Sequence, residues 1–135
     1  MIYRLPASER RRLVESALAA WPRECCGLIF ADRRDRRTLR LEATAGRFNR
    51  VDSFHISSAE VAVGIAAGPQ GPRRLLGCFH SHPVGHARPS SRDRDTSTGP
   101  GALWLVISVV PPGLGLFEWT GRRFRRVPLA IIRRC

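Results

Sequence analysis

The sequence predicts an α/β domain in which a mixed, curved β-sheet is flanked by helices. Apolar runs of strand length alternate with two segments of helical periodicity. Pairs of Gly and Pro separate many of these segments, and a polar stretch rich in His, Pro and Ser at 80–95 interrupts the apolar runs. At 135 residues the chain has the length of one domain, so we expect a single domain over 1–135.

Two helices are predicted. The first covers 8–21, with Ser8 as its N-cap and Pro22 as its stop. The second covers 57–67 and opens with a capping box, in which a hydroxyl at the cap is followed three residues later by Glu60. In the first helix Glu9 should be solvated, and one side should be apolar through Leu13, Val14, Ala17, Leu18 and Trp21.

The strands are predicted from short apolar or alternating runs bounded by turn residues. The runs at 25–31 and 38–44 should form a hairpin across a charged turn that contains Asp32 and Asp35. The remaining predicted strands are 74–79, 103–110, 115–120 and 124–132, with a brief extended piece at 54–56.

The charge of the chain is strongly positive. There are 23 basic residues against 11 acidic ones, a formal net charge of +12, and every basic residue is arginine. A genomic bias in base composition can explain the missing lysine, but the charge itself favours acidic partners. One function that the charge allows is that of a basic module, which binds nucleic acid or an acidic protein without catalysing hydrolysis. It is the alternative to the enzymatic function that the motifs below indicate. Few aromatic residues lie among the arginine clusters, so nucleic acid is the less favoured partner.

The lengths of the apolar runs bear on where the protein is located, and the spacing of the cysteines bears on the sites that they can form. The longest apolar run, at 102–110, is too short to cross a bilayer, and 1–12 lacks the apolar stretch of a secretory signal. We expect a cytoplasmic protein with no membrane partner. The cysteines form no C-x-x-C pair and are expected to be small buried residues; they are Cys25, Cys26, Cys78 and Cys135.

A metal site is predicted at the end of the strand that precedes 80–95. On an extended backbone His80 and His82 point the same way, with α-carbons about 6.5 to 7 Å apart, so both imidazoles can reach one ion. Pro83 should end the strand. Asp93 supplies a carboxylate from the first turn of a short helix that Ser90 can cap. Two imidazoles and one carboxylate leave a fourth position open, which is typical of catalytic zinc.

Such a site needs a general base. Glu24 is the best local candidate because it lies at the start of the apolar strand at 25–31, whereas Asp32 and Asp35 resemble turn residues. His86 is expected to be a solvent-facing loop residue. Cys78 shares a face with His80 and is not expected to bind the metal because the ligand set is complete without it.

Glu24 before Cys-Cys-Gly-Leu-Ile, then His80-Ser81-His82-Pro83, Ser90 and Asp93, resembles the signature of the MPN/JAMM (Mov34/PAD-type) metalloproteases, most closely the compact bacterial and archaeal members. The resemblance implies one Zn²⁺ per chain, held by His80, His82 and Asp93. It also implies that Glu24 is the general acid and base, and that Ser90 helps to hold the oxyanion. The fold implied is the cytidine-deaminase-like architecture.

The activity implied by the resemblance is hydrolysis of a peptide or isopeptide bond, often just after the Gly-Gly tail of a ubiquitin-like or sulfur-carrier protein. The segments at 46–52 and 95–101 are too short for the insertions with which the eukaryotic members clamp ubiquitin. Specificity for ubiquitin chains is therefore not implied. Zinc deamination is disfavoured because its H-x-E and P-C-x-x-C signature is absent.

Overall fold

A computed structural model describes residues 2–44, 62–63, 65–66, 72–91, 93 and 100–133. Its elements, in chain order, are β1 (Tyr3–Pro6), α1 (Ala7–Ala20), β2 (Cys26–Ala31), β3 (Leu39–Ala43), β4 (Leu75–Val84), β5 (Leu103–Val110), β6 (Gly113–Trp119), β7 (Phe124–Val127) and β8 (Leu129–Ile132).

The main sheet has six strands in the order β3-β2-β4-β5-β6-β7, and β1 pairs with β8 in a separate parallel ribbon. Within the main sheet β4 and β5 run parallel, while the other neighbouring strands are antiparallel. The prediction of a mixed sheet in an α/β fold is confirmed. A parallel pair requires a crossover connection, and here that connection begins within the polar stretch at 80–95, directly after Val84.

The two faces of the main sheet are packed differently. On one face α1 contributes Leu13 and Ala17 to a core that also includes Ile29, Phe79 and Leu105. The other face has a smaller apolar cluster, whose buried members are Trp104, Val106 and Phe117. Because side chains alternate along a strand, residues adjacent in sequence serve opposite faces of the sheet.

The start of α1 differs from the prediction. The helix begins at Ala7 and Pro6 occupies its N-cap, with no side-chain hydrogen bond at the cap, so the prediction of Ser8 as N-cap is wrong. The predicted apolar side is also divided. Leu13 and Ala17 are buried, but Leu18 remains 58% exposed and Trp21 50% exposed. Only a narrow stripe of the helix contacts the sheet, and periodicity alone does not fix the width of that stripe.

Glu9 is buried, so its assignment as a solvated residue is wrong. Its carboxylate accepts a hydrogen bond from the Leu41 amide at 3.4 Å and lies 3.6 Å from the Arg40 guanidinium, both on β3. Arg12, one turn along α1, also pairs with it. A charge that is both paired and hydrogen-bonded can be buried, and here it connects α1 to the edge strand β3.

The β2–β3 hairpin is confirmed, with Asp32 and Asp35 accepting hydrogen bonds from turn amides. Strand β4, however, continues through Pro83 to Val84, so the prediction that Pro83 ends the strand is wrong. The register pairs β4 with β2 as far as His80 and pairs β4 with β5 as far as Val84. Among the residues that the structure describes, no strand pairs with Pro83 on the β2 side, and a proline without an N–H is tolerated at such a position.

The end of the chain also departs from the prediction. The single strand predicted over 124–132 is two strands, because Pro128 separates β7, which pairs with β6, from β8, which pairs with β1. Strand β1 was not predicted. Residues 62–63 and 65–66 are helical, in agreement with the predicted second helix, whereas the rest of that helix and the piece at 54–56 lie outside the described residues.

No helix among the residues that the structure describes has the length and apolar character needed to cross a bilayer.

We expect Glu9→Ala to lower the free energy of unfolding by about 1–3 kcal/mol, because it leaves the partly buried Leu41 amide without its acceptor and removes one partner of Arg40. Urea denaturation followed by circular dichroism measures this. The matched control is Glu15→Ala on the exposed side of the same helix, which should change stability by less than about 0.5 kcal/mol. Equal effects of the two substitutions would show that the Glu9 network is not stabilising.

Candidate metal centre

The two histidines of the candidate site lie on one face of β4, opposite the face that packs on α1. Phe79, between Cys78 and His80, belongs to the α1 core, so the alternation of the strand places His80 and His82 on the other face. His80 is completely buried and its ring meets the edge of Trp104, with centroids 5.6 Å apart. His82 is half-buried. The site is therefore anchored in the second apolar cluster and open towards the end of β4.

Three donor atoms meet in a nearly equilateral triangle. His80 Nε2 lies 3.0 Å from His82 Nε2 and 3.1 Å from Asp93 Oδ2, and His82 Nε2 lies 3.3 Å from the same oxygen. Four ligands placed tetrahedrally at about 2.0–2.1 Å from a zinc ion stand about 3.3 Å from one another. The three edges of the triangle fit one face of such a tetrahedron.

The protons in this cluster also favour a cation. His82 Nδ1 lies 3.1 Å from the backbone oxygen of His86, and a carbonyl can only accept, so Nδ1 carries the proton. In neutral His82 the lone pair on Nε2 then points towards the Asp93 carboxylate, which has only lone pairs to offer. Two lone pairs at 3.3 Å repel each other unless a proton or a cation lies between them. The same Nδ1–H···O=C bond is the one that fixes the tautomer of metal-binding histidines.

Asp93 is held by a reciprocal pair of hydrogen bonds with Ser90. The Ser90 amide donates to Asp93 Oδ2 at 2.8 Å, and the Asp93 amide donates to Ser90 Oγ at 3.1 Å. This is the capping-box arrangement, so the prediction that Ser90 caps the turn is confirmed. The cap orients the carboxylate of Asp93, which lies in the β4–β5 crossover, towards the two histidines on β4.

The pKa shifts of the three candidate ligands indicate which protonation state each of them favours. Burial alone would raise the pKa of Asp93, but its hydrogen bonds with the two imidazoles and the Ser90 amide hold it well below its usual value. Burial lowers the pKa of His80, which keeps its ring neutral at pH 7. Burial also opposes the charged form of His82, yet its bonds to Asp93 and the His86 carbonyl raise the His82 pKa above its ordinary value. An ionised Asp93 and a neutral His80 are the forms that bind metals, whereas the raised pKa of His82 means that a bound metal has to displace the proton from its ring.

Glu24 joins this cluster from the segment that directly precedes β2, the strand next to β4. It is 3% exposed, and it offers a donor atom that lies within 4.8 Å of those of His80 and His82. Cys26 pairs with His80 in the β2–β4 register, which brings the start of β2 beside the histidines. A carboxylate at this distance can exchange a proton with a water that occupies the same cleft.

Ser81, between the two histidines, was not singled out in the sequence. It holds the segment that carries Glu24 against the strand that carries the histidines. It is 1% exposed, its Oγ accepts a hydrogen bond from the Cys25 amide at 2.8 Å, and its own amide donates to the Cys25 carbonyl at 3.0 Å. Cys25 follows Glu24 directly, so these two bonds fix the chain that carries Glu24 against the strand that carries both imidazoles. A small hydroxyl residue inside a buried strand was the available signal, since it has to find a partner there.

The other predicted residues have plain structural roles. Cys25 and Cys26 are buried, as expected, and Cys78 is half-buried. Burial, together with the nearby Asp93 and Cys26, raises the pKa of Cys78 to about 12, so its thiol stays protonated at neutral pH. The His86 side chain is exposed, which confirms the prediction. Cys135 lies outside the described residues.

Comparison with known proteins gives consistent results. Residues 6–126 match the family model described as prokaryotic homologs of the JAB domain. The chain is 30% identical over 121 residues to a desampylase of Haloferax volcanii, covering 87% of this chain and 84% of the relative. A solved structure from Desulfitobacterium hafniense is 25% identical with a TM-score of 0.85, covering 99% of this chain and 94% of that one. A JAB1/MPN domain protein from Archaeoglobus fulgidus shares the fold at 16% identity and a TM-score of 0.62, covering 96% of each chain.

We expect Ser81→Ala to lower the free energy of unfolding by about 1–3 kcal/mol, because the Cys25 amide loses its acceptor in a buried position. The Cys25 amide should also exchange its proton with solvent faster in NMR experiments. Ser16→Ala on α1 is the matched control, because it also removes a serine hydroxyl but lies outside the strands that carry the site. Unchanged exchange at Cys25 in Ser81→Ala would show that the hydroxyl does not hold this segment.

Proposed function

Because the chain belongs to the family of prokaryotic homologs of the JAB domain and is a JAMM-type metallopeptidase, we propose that it cuts the bond after the Gly-Gly tail of a ubiquitin-like or sulfur-carrier protein. The observation that carries the proposal is the triangle of His80 Nε2, His82 Nε2 and Asp93 Oδ2 with a second carboxylate beside it. One carboxylate serves as a ligand and leaves the other for proton transfer.

The proposed ligands of one zinc ion are His80, His82 and Asp93. A zinc ion held there supplies a Lewis acid and can bring the pKa of water from 15.7 down to about 7. The Ser90 amide and the His86 carbonyl keep the Asp93 carboxylate and the His82 ring in the orientation that binding requires. Glu24 is a possible ligand by distance, but Asp93 Oδ2 lies at the spacing of a ligand from both imidazole nitrogens.

Glu24 is the proposed general base and then general acid. Its carboxylate takes a proton from the water that attacks the carbonyl carbon, and it gives that proton to the nitrogen as the C–N bond breaks. The products are a carrier with a free carboxyl terminus and a free amine. Burial of Glu24 beside His80 excludes bulk water from this transfer, and Ser81 fixes the distance at which it occurs.

Ser90 is proposed to stabilise the negative charge that develops on the carbonyl oxygen. Its amide and its Oγ are engaged with Asp93, but in that bond Oγ is the acceptor, so the hydroxyl proton remains free to point elsewhere. The side chain of Ser90 is exposed, and its position is fixed by the cap. A preorganised donor of this kind is most effective when it requires no rearrangement during the reaction.

The charge of the chain supports an acidic protein as the substrate. Arginines that are exposed in the structure surround the fold on several elements, among them Arg10, Arg11, Arg33, Arg34, Arg122 and Arg123. Together with the formal charge of +12 they should speed the association with an acidic carrier at low salt. The similarity to a desampylase supports a protein substrate as well. We propose further that the chain forms one catalytic domain, since the family model spans 6–126.

We expect the purified protein to bind about one zinc per chain and the double variant His80→Ala/His82→Ala to bind none, because the variant removes two of the three proposed ligands. Inductively coupled plasma mass spectrometry measures the metal content. His86→Ala is the matched control, because its side chain is exposed and its backbone carbonyl remains. Zinc retained at full stoichiometry in the double variant would reject the ligand assignment.

We expect the zinc form to cleave Gly-Gly-tailed carriers that carry a short extension, and Glu24→Gln to keep its zinc while kcat falls by about 10²-fold or more. Intact-mass spectrometry of the carrier measures cleavage, and Glu15→Gln on the exposed side of α1 is the control. Normal turnover in Glu24→Gln would place the base elsewhere. No cleavage by the wild type, combined with a salt-sensitive shift of nucleic acid in gels, would favour the binding-only alternative.

A further inference from the structure

Two valines stand exposed beside the metal centre, at the ends of the parallel strands. Val84 closes β4 and is 71% exposed, and Val110 closes β5 and is 52% exposed. The register pairs them directly with each other. We infer that they form a subsite for an apolar side chain of the substrate, in the segment that follows the scissile bond; this inference rests on the proposed function.

The strand register places both valines on the face of the metal centre. Val84 is two residues beyond His82, and side chains two apart on a strand point the same way with α-carbons about 6.5–7 Å apart. On β5 the partner of His82 is Ser108, so Val110 follows on that same face. Val109, between them, packs instead on the α1 core of the opposite face. The two valines thus lie on the same face of the sheet as the imidazoles, next to the turn whose Gly85 and His86 carbonyls accept hydrogen bonds from Ser108 and His82.

This end of the sheet is held in place by hydrogen bonds. The Gly85 amide donates to the Val110 carbonyl at 2.8 Å, and the Ser108 hydroxyl donates to the Gly85 carbonyl. Gly85 has a φ of +116°, a conformation that other residues rarely adopt, and the chain can turn there directly after Val84. A subsite on a fixed sheet end binds without having to be ordered first.

The chemistry of the proposed substrate decides which side of the scissile bond the valines contact. Their distance from His82 corresponds to about two residues of extended chain, at about 3.3 Å per residue. On the carrier side those two residues are both glycine and offer no side chain. An apolar pair at this distance therefore has a partner only in the first or second residue after the scissile bond.

The test compares extensions of one carrier. The segment after Gly-Gly begins with Leu-Ser, Ser-Leu or Ser-Ser, and kcat/KM is measured for each. We expect wild-type protein to prefer the better leucine-containing extension over Ser-Ser by about tenfold, the scale on which apolar contacts discriminate between substrates. The same order should appear in the Kd values of Glu24→Gln, which does not turn the substrates over.

The variant Val84→Thr/Val110→Thr keeps the shape and the β-branching of both residues while it removes their apolar character. We expect its preference for leucine to fall to near one, with kcat/KM for the Ser-Ser extension unchanged. The matched control is Val14→Thr, on the helix that covers the opposite face, which should keep the preference. Thermal unfolding of each variant shows whether the substitution also affects the sheet, and such an effect would lower the rates for all extensions equally.

Four results would overturn the inference. A wild-type preference near one would show that no apolar side chain is recognised, and a preference that survives Val84→Thr/Val110→Thr would place its recognition elsewhere. Equal loss on all extensions would assign the valines a purely structural role. If wild-type protein cleaves none of the extended carriers, the proposed hydrolysis itself is wrong and the subsite is rejected with it, which distinguishes the two failures.

Discussion

Two imidazole nitrogens and one carboxylate oxygen lie within 3.3 Å of one another in this protein, and that contact is the constraint on which the site depends. Such a cluster excludes bulk water on the side of His80, which is completely buried. In a medium of low dielectric constant, lone pairs brought together in this way repel unless a positive charge compensates for them. The surrounding structure is arranged to hold the donors in place: the Ser90 cap fixes the carboxylate, and the His86 carbonyl fixes a ring.

The sheet order explains why this cluster forms at the end of β4. The strand lies between β2, which Glu24 precedes by two residues, and β5, whose parallel direction requires a crossover that contains Asp93. Ligand sites in open α/β sheets commonly lie where strand connections diverge at the carboxyl ends of strands. The Ser81–Cys25 pair of hydrogen bonds then sets the distance between the two halves of the site. Residues from three segments of the chain, at 24–25, 80–82 and 90–93, thus meet at one cleft.

The two faces of the sheet have different roles, because one packs against α1 in the larger core and the other carries the metal centre. The face towards α1 contains the larger core and the buried Glu9 network, which connects helix and edge strand. The other face carries the metal centre and ends in the exposed Val84 and Val110. This division follows from the period of two in a strand, because neighbouring residues such as Phe79 and His80 necessarily serve opposite faces. Substitutions on the face that packs against α1 should therefore affect the free energy of unfolding more than they affect catalysis.

The sequence by itself determined the type of fold and the chemical residues of the site. Spacing of two on a strand placed His80 and His82 on one face, and the S-x-x-D pattern predicted the cap that orients Asp93, because both depend on local backbone geometry. Local patterns failed where distant segments decide the outcome. Glu9 is buried because Arg40 approaches it from β3, and β4 passes through Pro83 because β2 no longer pairs there. The motif predicts that Asp93 meets both imidazoles, and a buried serine needs a partner, but the distances of Asp93 from the rings, the choice of Cys25 as the partner of Ser81 and the exposure of Val84 depend on how distant segments pack.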